Sequence, residues 1–296
     1  MTGRHYRYVT VDVFTAERFG GNPLAVLPEA EGLDGAQMQA IAREFNFSET
    51  SFVLPPRDPA HSAHVRIFTP QREMPFAGHP NIGTAMVLAW ERLARGEAVP
   101  DPFLFEEVAG LVPVTVRLEQ GAAVEARLRA PLPLSRHAVL DAAGVAACLS
   151  LHAGDVVTAA HAPQVVSVGA AFLVVELAGL DALGRIKPNP LAWDATLPRD
   201  GATSIYAYVR LPGDALRSRM FTRSLYEDPA TGSATAAVAA LLLDLSGREA
   251  LALTVRQGVE MGRPSLLHAT AWREAGGVAA GVAGGSVPVM EGRLRL

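Results

Sequence analysis

Two short stretches of this sequence set up the same chemistry twice. AGHP (Ala77 to Pro80) and TGSA (Thr231 to Ala234) each place a glycine, Gly78 or Gly232, before a long apolar stretch that stops at a further glycine, Gly96 or Gly247. Each reads as a tight turn into a helix. The first amides of a helix have no intrahelical acceptor, so they attract anions, by about 0.3–1 kcal/mol when exposed and up to about 2 kcal/mol when partly buried. Two such ends facing one another across a cleft would clamp a carboxylate. For either glycine alone, ordinary capping by Ser233, or a first turn opened by Pro80, explains the sequence equally well. The repetition is what favours a ligand.

The rare residues narrow the chemistry further. Cys148 is the sole cysteine, which excludes an intramolecular disulfide and any mechanism using a cysteine pair within one chain. Lys187 is the sole lysine and sits in KPNP, a poor setting for a pyridoxal Schiff base. There is no GxGxxG, no Walker lysine loop and no GxSxG elbow, so neither a nucleotide cofactor nor a serine nucleophile is expected. His61 and His64 are three residues apart with no third ligand in view, so no metal site is expected. Carboxylates, imidazole and backbone amides remain. The 26 basic and 30 acidic residues give a net charge of −4 without a basic block, which argues against nucleic acid as a partner. No apolar run reaches the roughly 18 residues of a membrane span, and Asp12 interrupts the region where a signal-peptide core would lie. A cytoplasmic protein with no membrane partner is expected.

The elements that must hold these groups also come in pairs. RIFTP (Arg66 to Pro70) precedes the first glycine turn and RMFTR (Arg219 to Arg223) the second; Phe68 and Phe221 lie 153 residues apart, Gly78 and Gly232 154. SETSFVL (Ser48 to Leu54) aligns with ATSIYAYV (Ala202 to Val209) when Thr50 is matched to Ser204, and AGLVPVTV (Ala109 to Val116) corresponds to QGVEMGRPS (Gln257 to Ser265). A repeat of half the chain is too long for a solenoid unit and points to a duplicated domain. The 296 residues, 49% of them hydrophobic, suffice for two cores. Strands are predicted near residues 8–14, 25–27, 50–54, 64–68 and 112–118, with helices over 34–45 and 80–95. The second half repeats the pattern, with strands near 165–168, 172–176, 204–210, 219–222 and 251–255 and a helix over 234–245. The Pro-rich stretch Ala130 to Pro133 is the expected linker, dividing residues 1–130 from 131–296, with the last strand able to return to the first domain. Ile82 to Trp90 and Ala234 to Leu243 have no charged face, so each helix must be buried on every side. A domain of this size achieves that only if a curved, mostly antiparallel sheet wraps its own central helix. Gly83, Ala85, Ala236 and Ala237 are small where strands would pack close.

Together NFSETSFVL (Asn46 to Leu54), AGHPNIGTA (Ala77 to Ala85), EDPATGSA (Glu227 to Ala234), QGVEMGRPS and VFTAERFGGNPLAVL (Val13 to Leu27) resemble the PhzF-like family of phenazine-biosynthesis isomerases, in order and spacing over nearly the whole chain. The resemblance implies the α/β fold of diaminopimelate epimerase: two similar domains, each a sheet around a central helix, with the active site between them. It implies a homodimer that needs no cofactor and acts on a small carboxylate. In the family's characterised isomerase a glutamate moves a proton on trans-2,3-dihydro-3-hydroxyanthranilate, and Glu49 matches it. His79 and Asp228 match other polar active-site residues, Ser233 matches a substrate-binding serine, and the Gly78 and Gly232 amides would hold the carboxylate. Without the resemblance, Glu49 reads as a surface residue at a strand entry and Asp228 as the start of a turn. One carboxyl can take a proton from one carbon and return it to another if its pKa rises from about 4.3 toward neutrality, and Phe45, Phe47 and Phe52 are the expected apolar surroundings. Asn81 departs from the threonine expected after GHP, which leaves the substrate open. A racemase or epimerase of an amino or hydroxy acid, and a catalytically silent protein-binding module, are the rival readings.

Overall fold

A computed structural model describes residues 4–296. The chain divides into two compact units, Met1–Leu128 with Ala283–Leu296, and Arg129–Val282. The first unit contains β1 (His5–Val13), β2 (Asn22–Leu27), α1 (Gly35–Phe45), β3 (Glu49–Leu54), β4 (Ala63–Phe68), β5 (Glu73–Met74), α2 (Gly78–Ala94), β6 (Phe103–Glu107), β7 (Gly110–Glu119) and β8 (Ala122–Arg129). The second contains β9 (Ser135–Val139), α3 (Ala142–Cys148), β10 (Val156–Val157), β11 (Gln164–Ser167), β12 (Ala171–Leu177), α4 (Leu180–Arg185), α5 (Pro190–Thr196), β13 (Ile205–Leu211), β14 (Ala215–Phe221), β15 (Glu227–Asp228), α6 (Gly232–Ser246), β16 (Ala250–Gln257), β17 (Ser265–Glu274) and β18 (Gly277–Gly284). The last strand, β19 (Ser286–Arg295), pairs with β1.

The duplication is legible in the strand ladders. In the first unit β1 and β2 are antiparallel, β2 and β3 parallel, β3 and β4 antiparallel, β4 and β6 parallel, β6 and β7 antiparallel. The second unit repeats this order through β11, β12, β13, β14, β16 and β17. The antiparallel pairs are hairpins, whereas each parallel pair needs a crossover, supplied in the second crossing of each unit by the buried helix, α2 or α6. Two expected matches move. Phe68 sits opposite Thr50 and Phe221 opposite Ile205, so Thr50 corresponds to Ile205 and not to Ser204. Glu107 sits opposite Gly110 and Gln257 opposite Ser265, so with His64 matched to Arg217 on the parallel ladders, Gly110 corresponds to Ser265 and not to Gly258.

Both central helices are enclosed as their composition requires. Gly78 through Val87 are all buried in α2, as are Ala234 through Leu243 in α6. The first helix packs against β1, β2, β3, β7 and β19, the second against β11, β12, β16 and β17. At Gly83 a Cβ would lie 2.6 Å from Leu24 and 2.8 Å from Val13, so only glycine lets β1 and β2 approach this closely. The ends of the helices are set by Gly96 (φ 73°) and Gly247 (φ 67°), left-handed conformations that cost glycine little. The peripheral helix α1 starts on a capping box of Asp34 and Gln37 and ends at Asn46 (φ 52°). No helix among the described residues is long and apolar enough to cross a membrane.

Candidate active site

Glu49 and His79 are 30 residues apart, on the order of 100 Å of extended chain, yet the fold of the first unit brings them together. Glu49 opens β3 and His79 is the second residue of α2, with His79 Nε2 3.4 Å from Glu49 Oε2. Both side chains are largely buried. Burial lowers the His79 imidazole to about 3, and its place at the positive end of α2 also disfavours a second proton. The ring is therefore neutral at physiological pH, and apart from the 3.4 Å approach of Glu49 its Nε2 has no hydrogen-bond partner among the described residues. Other buried polar atoms in the same condition are Thr50 Oγ1 and Ser51 Oγ on β3, Asn81 Oδ1 and Thr84 Oγ1 on α2, both carboxyl oxygens of Glu107 at the end of β6, Trp193 Nε1 on α5 and Ser286 Oγ on β19. Native proteins leave few such atoms, and His79 Nε2 and Asn81 Oδ1 place two of them on the first turn of α2.

The second unit assembles Asp228, Gly232 and Ser233 around the start of α6. Asp228 ends β15 and accepts a hydrogen bond from the Thr231 hydroxyl, so the turn expected for DPAT is present. Gln257, the last residue of β16, braces that turn from the sheet: its Nε2 donates to the Asp228 carbonyl (2.8 Å) and to Thr231 Oγ1 (2.9 Å), and its Oε1 accepts from the Thr231 amide (3.2 Å). Behind it, the Tyr206 hydroxyl donates to Ser218 Oγ (2.8 Å) and lies 3.0 Å from Thr235 Oγ1. Ser233 is partly exposed on the first turn of α6.

Three expectations are corrected. No side chain caps α2 or α6, so Ser233 is not a cap and the helix starts keep unsatisfied amides. Gly78 and Gly232 are each the first residue of a helix and have no positive φ, so a tight left-handed turn is not what requires glycine there. Phe52 does not surround Glu49. Side chains alternate along β3, and Phe52 enters the cluster with Met38, Ile41 and Phe68, its ring 5.5 Å from that of Phe68. Phe45 and Phe47 contact one another at 6.0 Å.

The histidines weighed as metal ligands have other partners: His61 Nδ1 is 2.9 Å from Glu106 Oε1, and His64 Nε2 is 3.3 Å from the Arg57 guanidinium. No group of three or more His, Cys, Asp or Glu side chains among the described residues is arranged to hold a metal. A pocket of about 570 Å³ beside Leu54, His61, Arg92 and Phe103 contains neither Glu49 nor His79. Cys148 is buried in the apolar core between α3, α5 and the sheet of the second unit, away from the start of α6.

Sequence reasoning missed a pair of ion pairs that support the two glycine turns. Arg66 on β4 grips Glu73 on β5 through two bonds of 2.7 Å, and Arg219 on β14 grips Glu227 on β15 through two of 2.8 Å. Each guanidinium also stacks on the phenylalanine two residues on, at 5.1 Å over Phe68 and 4.9 Å over Phe221. The signal was available, because the arginine, phenylalanine and glutamate all recur at the repeat spacing.

A family model described as phenazine biosynthesis-like protein matches residues 11–292. The chain belongs to this family. It is 41% identical to an uncharacterized isomerase of Mesorhizobium japonicum, over 97% of this chain and 98% of that one. It is 35% identical to the trans-2,3-dihydro-3-hydroxyanthranilate isomerase of Pseudomonas aeruginosa, over 98% of this chain and 100% of that one. Among solved structures, the phenazine biosynthesis protein of the PhzF family from Bacillus anthracis superposes with a TM-score of 0.87 at 24% identity, covering 99% of this chain and 100% of its own, which establishes the shared fold. Membership of the phenazine biosynthesis-like family makes this chain an isomerase with two similar α/β domains.

Proposed function

We propose that this isomerase moves a proton between two carbons of a small carboxylate without a cofactor, and that Glu49 carries the proton. The observation that supports this reading most is the Glu49–His79 contact at an uncapped helix start. As a carboxylate, Glu49 takes a proton from one carbon; the electron pair of that C–H bond becomes a new double bond, and the pair of the old double bond accepts the proton back from Glu49 at the far carbon. The neutral imidazole of His79 holds a substrate hydroxyl or amine by hydrogen bonding, which an imidazolium could do only as a donor. Gly78 and Gly232 offer first-turn amides to the substrate carboxylate, with the Ser233 hydroxyl as a further donor, and Asp228 binds an amino group. The substrate class is a cyclic amino or hydroxy acid, by similarity to the relative that isomerises trans-2,3-dihydro-3-hydroxyanthranilate.

The test is to incubate the protein in deuterated water with a panel of cyclic and amino-acid metabolites and read deuterium uptake by mass spectrometry. Isomerisation with deuterium gained at a new carbon supports the reading. Inversion at a single carbon makes the protein an epimerase, and no exchange across the panel favours a protein-binding role.

A further inference from the structure

Glu107 is a carboxyl that the mechanism above does not use, and its surroundings are unusual. It is the last residue of β6, where alternation along the strand turns it away from its neighbour. Glu106 accepts hydrogen bonds from the Arg57 and Asp58 amides and contacts His61, which hold it as a carboxylate at about 2. Glu107 has both oxygens buried with no hydrogen-bond partner within the protein. The turn that follows it is tied to the segment leading into α2, because the Ala109 amide donates to the Pro75 carbonyl at 3.0 Å. Asn81, on the first turn of α2, is its polar neighbour. Asn81 Nδ2 donates to the Ala77 carbonyl at 3.0 Å, while its Oδ1 has no partner.

The second unit shows what this position is for. With Phe68 matched to Phe221, the ladders pair His64 with Glu106 and Arg217 with Arg256, which matches Glu107 to Gln257. Pro75 likewise corresponds to Pro229, whose carbonyl accepts from the Ser265 hydroxyl at 2.8 Å. Gln257 hydrogen-bonds the start of α6 with its donor and its acceptor together. An ionised carboxylate offers acceptors alone, but a carboxylic acid has one donor and one acceptor and so copies an amide. An acid proton on Glu107 pointing at Asn81 Oδ1 would satisfy that oxygen and one of the two Glu107 oxygens at once.

We propose that Glu107 is a positioning residue for the start of α2, held as a neutral carboxylic acid that donates to Asn81 and so fixes the turn carrying Gly78 and His79. Its influence on catalysis rests on the proposed role of that turn. Burial raises the carboxyl to about 8; an Asn81 N–H turned toward it would act the other way, but Asn81 Nδ2 donates to the Ala77 carbonyl and it is Oδ1 that lacks a partner. Among the described residues no charged side chain faces it from the elements packed around it: Glu106 is on the other face, Glu73 is paired with Arg66, and His79 is neutral. Between the ordinary 4.5 and about 8 the native state keeps a proton that the unfolded chain has lost, so Glu107 lowers stability progressively as pH rises through that window.

The experiment compares the full chain with its Glu107→Gln and Glu107→Ala variants. Carbon-13 NMR of glutamate-labelled protein, with the Glu107→Gln spectrum identifying the resonance, should show a carboxyl titrating near 8. Tm of Glu107→Gln should exceed that of the wild type by a margin that opens above pH 4.5 and stops growing above about 8. In turnover Glu107→Gln should keep the wild-type kcat, while Glu107→Ala loses about 10²-fold in kcat with little change in KM, the scale of a roughly 1 Å misplacement. A carboxyl titrating near 4.5, or a Glu107→Gln protein less stable than the wild type at pH 8, overturns the proposal. So does a loss in Glu107→Gln equal to that in Glu107→Ala. Titration and Tm decide it even if the protein proves to have no isomerase activity, and the glutamine variant decides it if the alanine variant does not fold.

Discussion

The same ladder of strands carries different polar groups in the two units, and the difference separates support from chemistry. Where the first unit has Glu49, Met74, Ala77, His79 and Glu107, the second has Ser204, Asp228, Thr231, Ser233 and Gln257 in matching places. In the second unit Asp228, Thr231 and Gln257 satisfy one another in a closed network. In the first, Thr50, Ser51, His79 and Thr84 bury atoms with no hydrogen-bond partner among the described residues, against Trp193 Nε1 in the second. What both units keep is the arginine–glutamate clamp, the enclosed helix and its uncapped start. A duplicated domain is thus held by the shared parts and given its two roles by the parts that diverged.

Three changes sharpen that comparison. The largest effect on stability should come from the clamps. Arg219 and Glu227 are the more buried pair, and Arg219 also donates to the Leu183 carbonyl, so Glu227→Gln leaves a buried cation and should cost about 3–5 kcal/mol. Glu73→Gln in the more exposed clamp should cost about 1 kcal/mol or less, and denaturant unfolding of both variants would measure the gap. Equal costs would mean that the two clamps are equivalent after all.

Next in size is the helix packing. Gly83 of α2 corresponds to Ala237 of α6, and a methyl fits the second helix but not the first. Gly83→Ala should destabilise by about 1–3 kcal/mol from overpacking. Ala237→Gly should cost about 1 kcal/mol from lost helix propensity. A stabilised Gly83→Ala protein would show that β1 and β2 can move away.

The smallest effect near neutrality concerns His79. Its folded pKa of about 3 lies below the ordinary 6.5, so only the unfolded chain binds a proton between those values, and stability falls as pH drops through that window. A His79→Gln protein lacks this contribution, so its Tm should fall less on acidification than that of the wild type, with calorimetry as the check. Parallel curves would mean that His79 is not held neutral.

Much of this fold is legible in the sequence, for reasons that particular segments illustrate. Ala234 to Leu243 has no polar face, which leaves no option but enclosure, and the glycines at 96 and 247 mark where each helix must stop. By contrast Gly277–Gly284 is glycine and alanine with two valines, and nothing in its pattern distinguishes a strand from a loop. The two-residue strands β5 and β15 are too short to show any period. The slip between Thr50 and Ile205 arose because SETSFVL and ATSIYAYV align well on their threonines and serines, while the ladder is fixed by the phenylalanines opposite them. Glu49 was identified through resemblance alone, since a glutamate at a strand entry has the same local pattern on any surface. Glu107 gave no signal, because FEEVAG looks like the charged end of a hairpin and only the matched ladders reveal Gln257 as its counterpart.

The central claim is that proton transfer belongs to Glu49 of the first unit and not to its counterpart in the second. With a substrate found by deuterium uptake, Glu49→Gln and Ser204→Ala proteins should be compared with the wild type for isotope incorporation and for Tm. The account predicts a loss of about 10²–10⁴-fold in kcat for Glu49→Gln at nearly unchanged Tm, the cost of removing one acid–base group, and near wild-type exchange for Ser204→Ala. A folded Glu49→Gln protein that incorporates deuterium at the wild-type rate would contradict it.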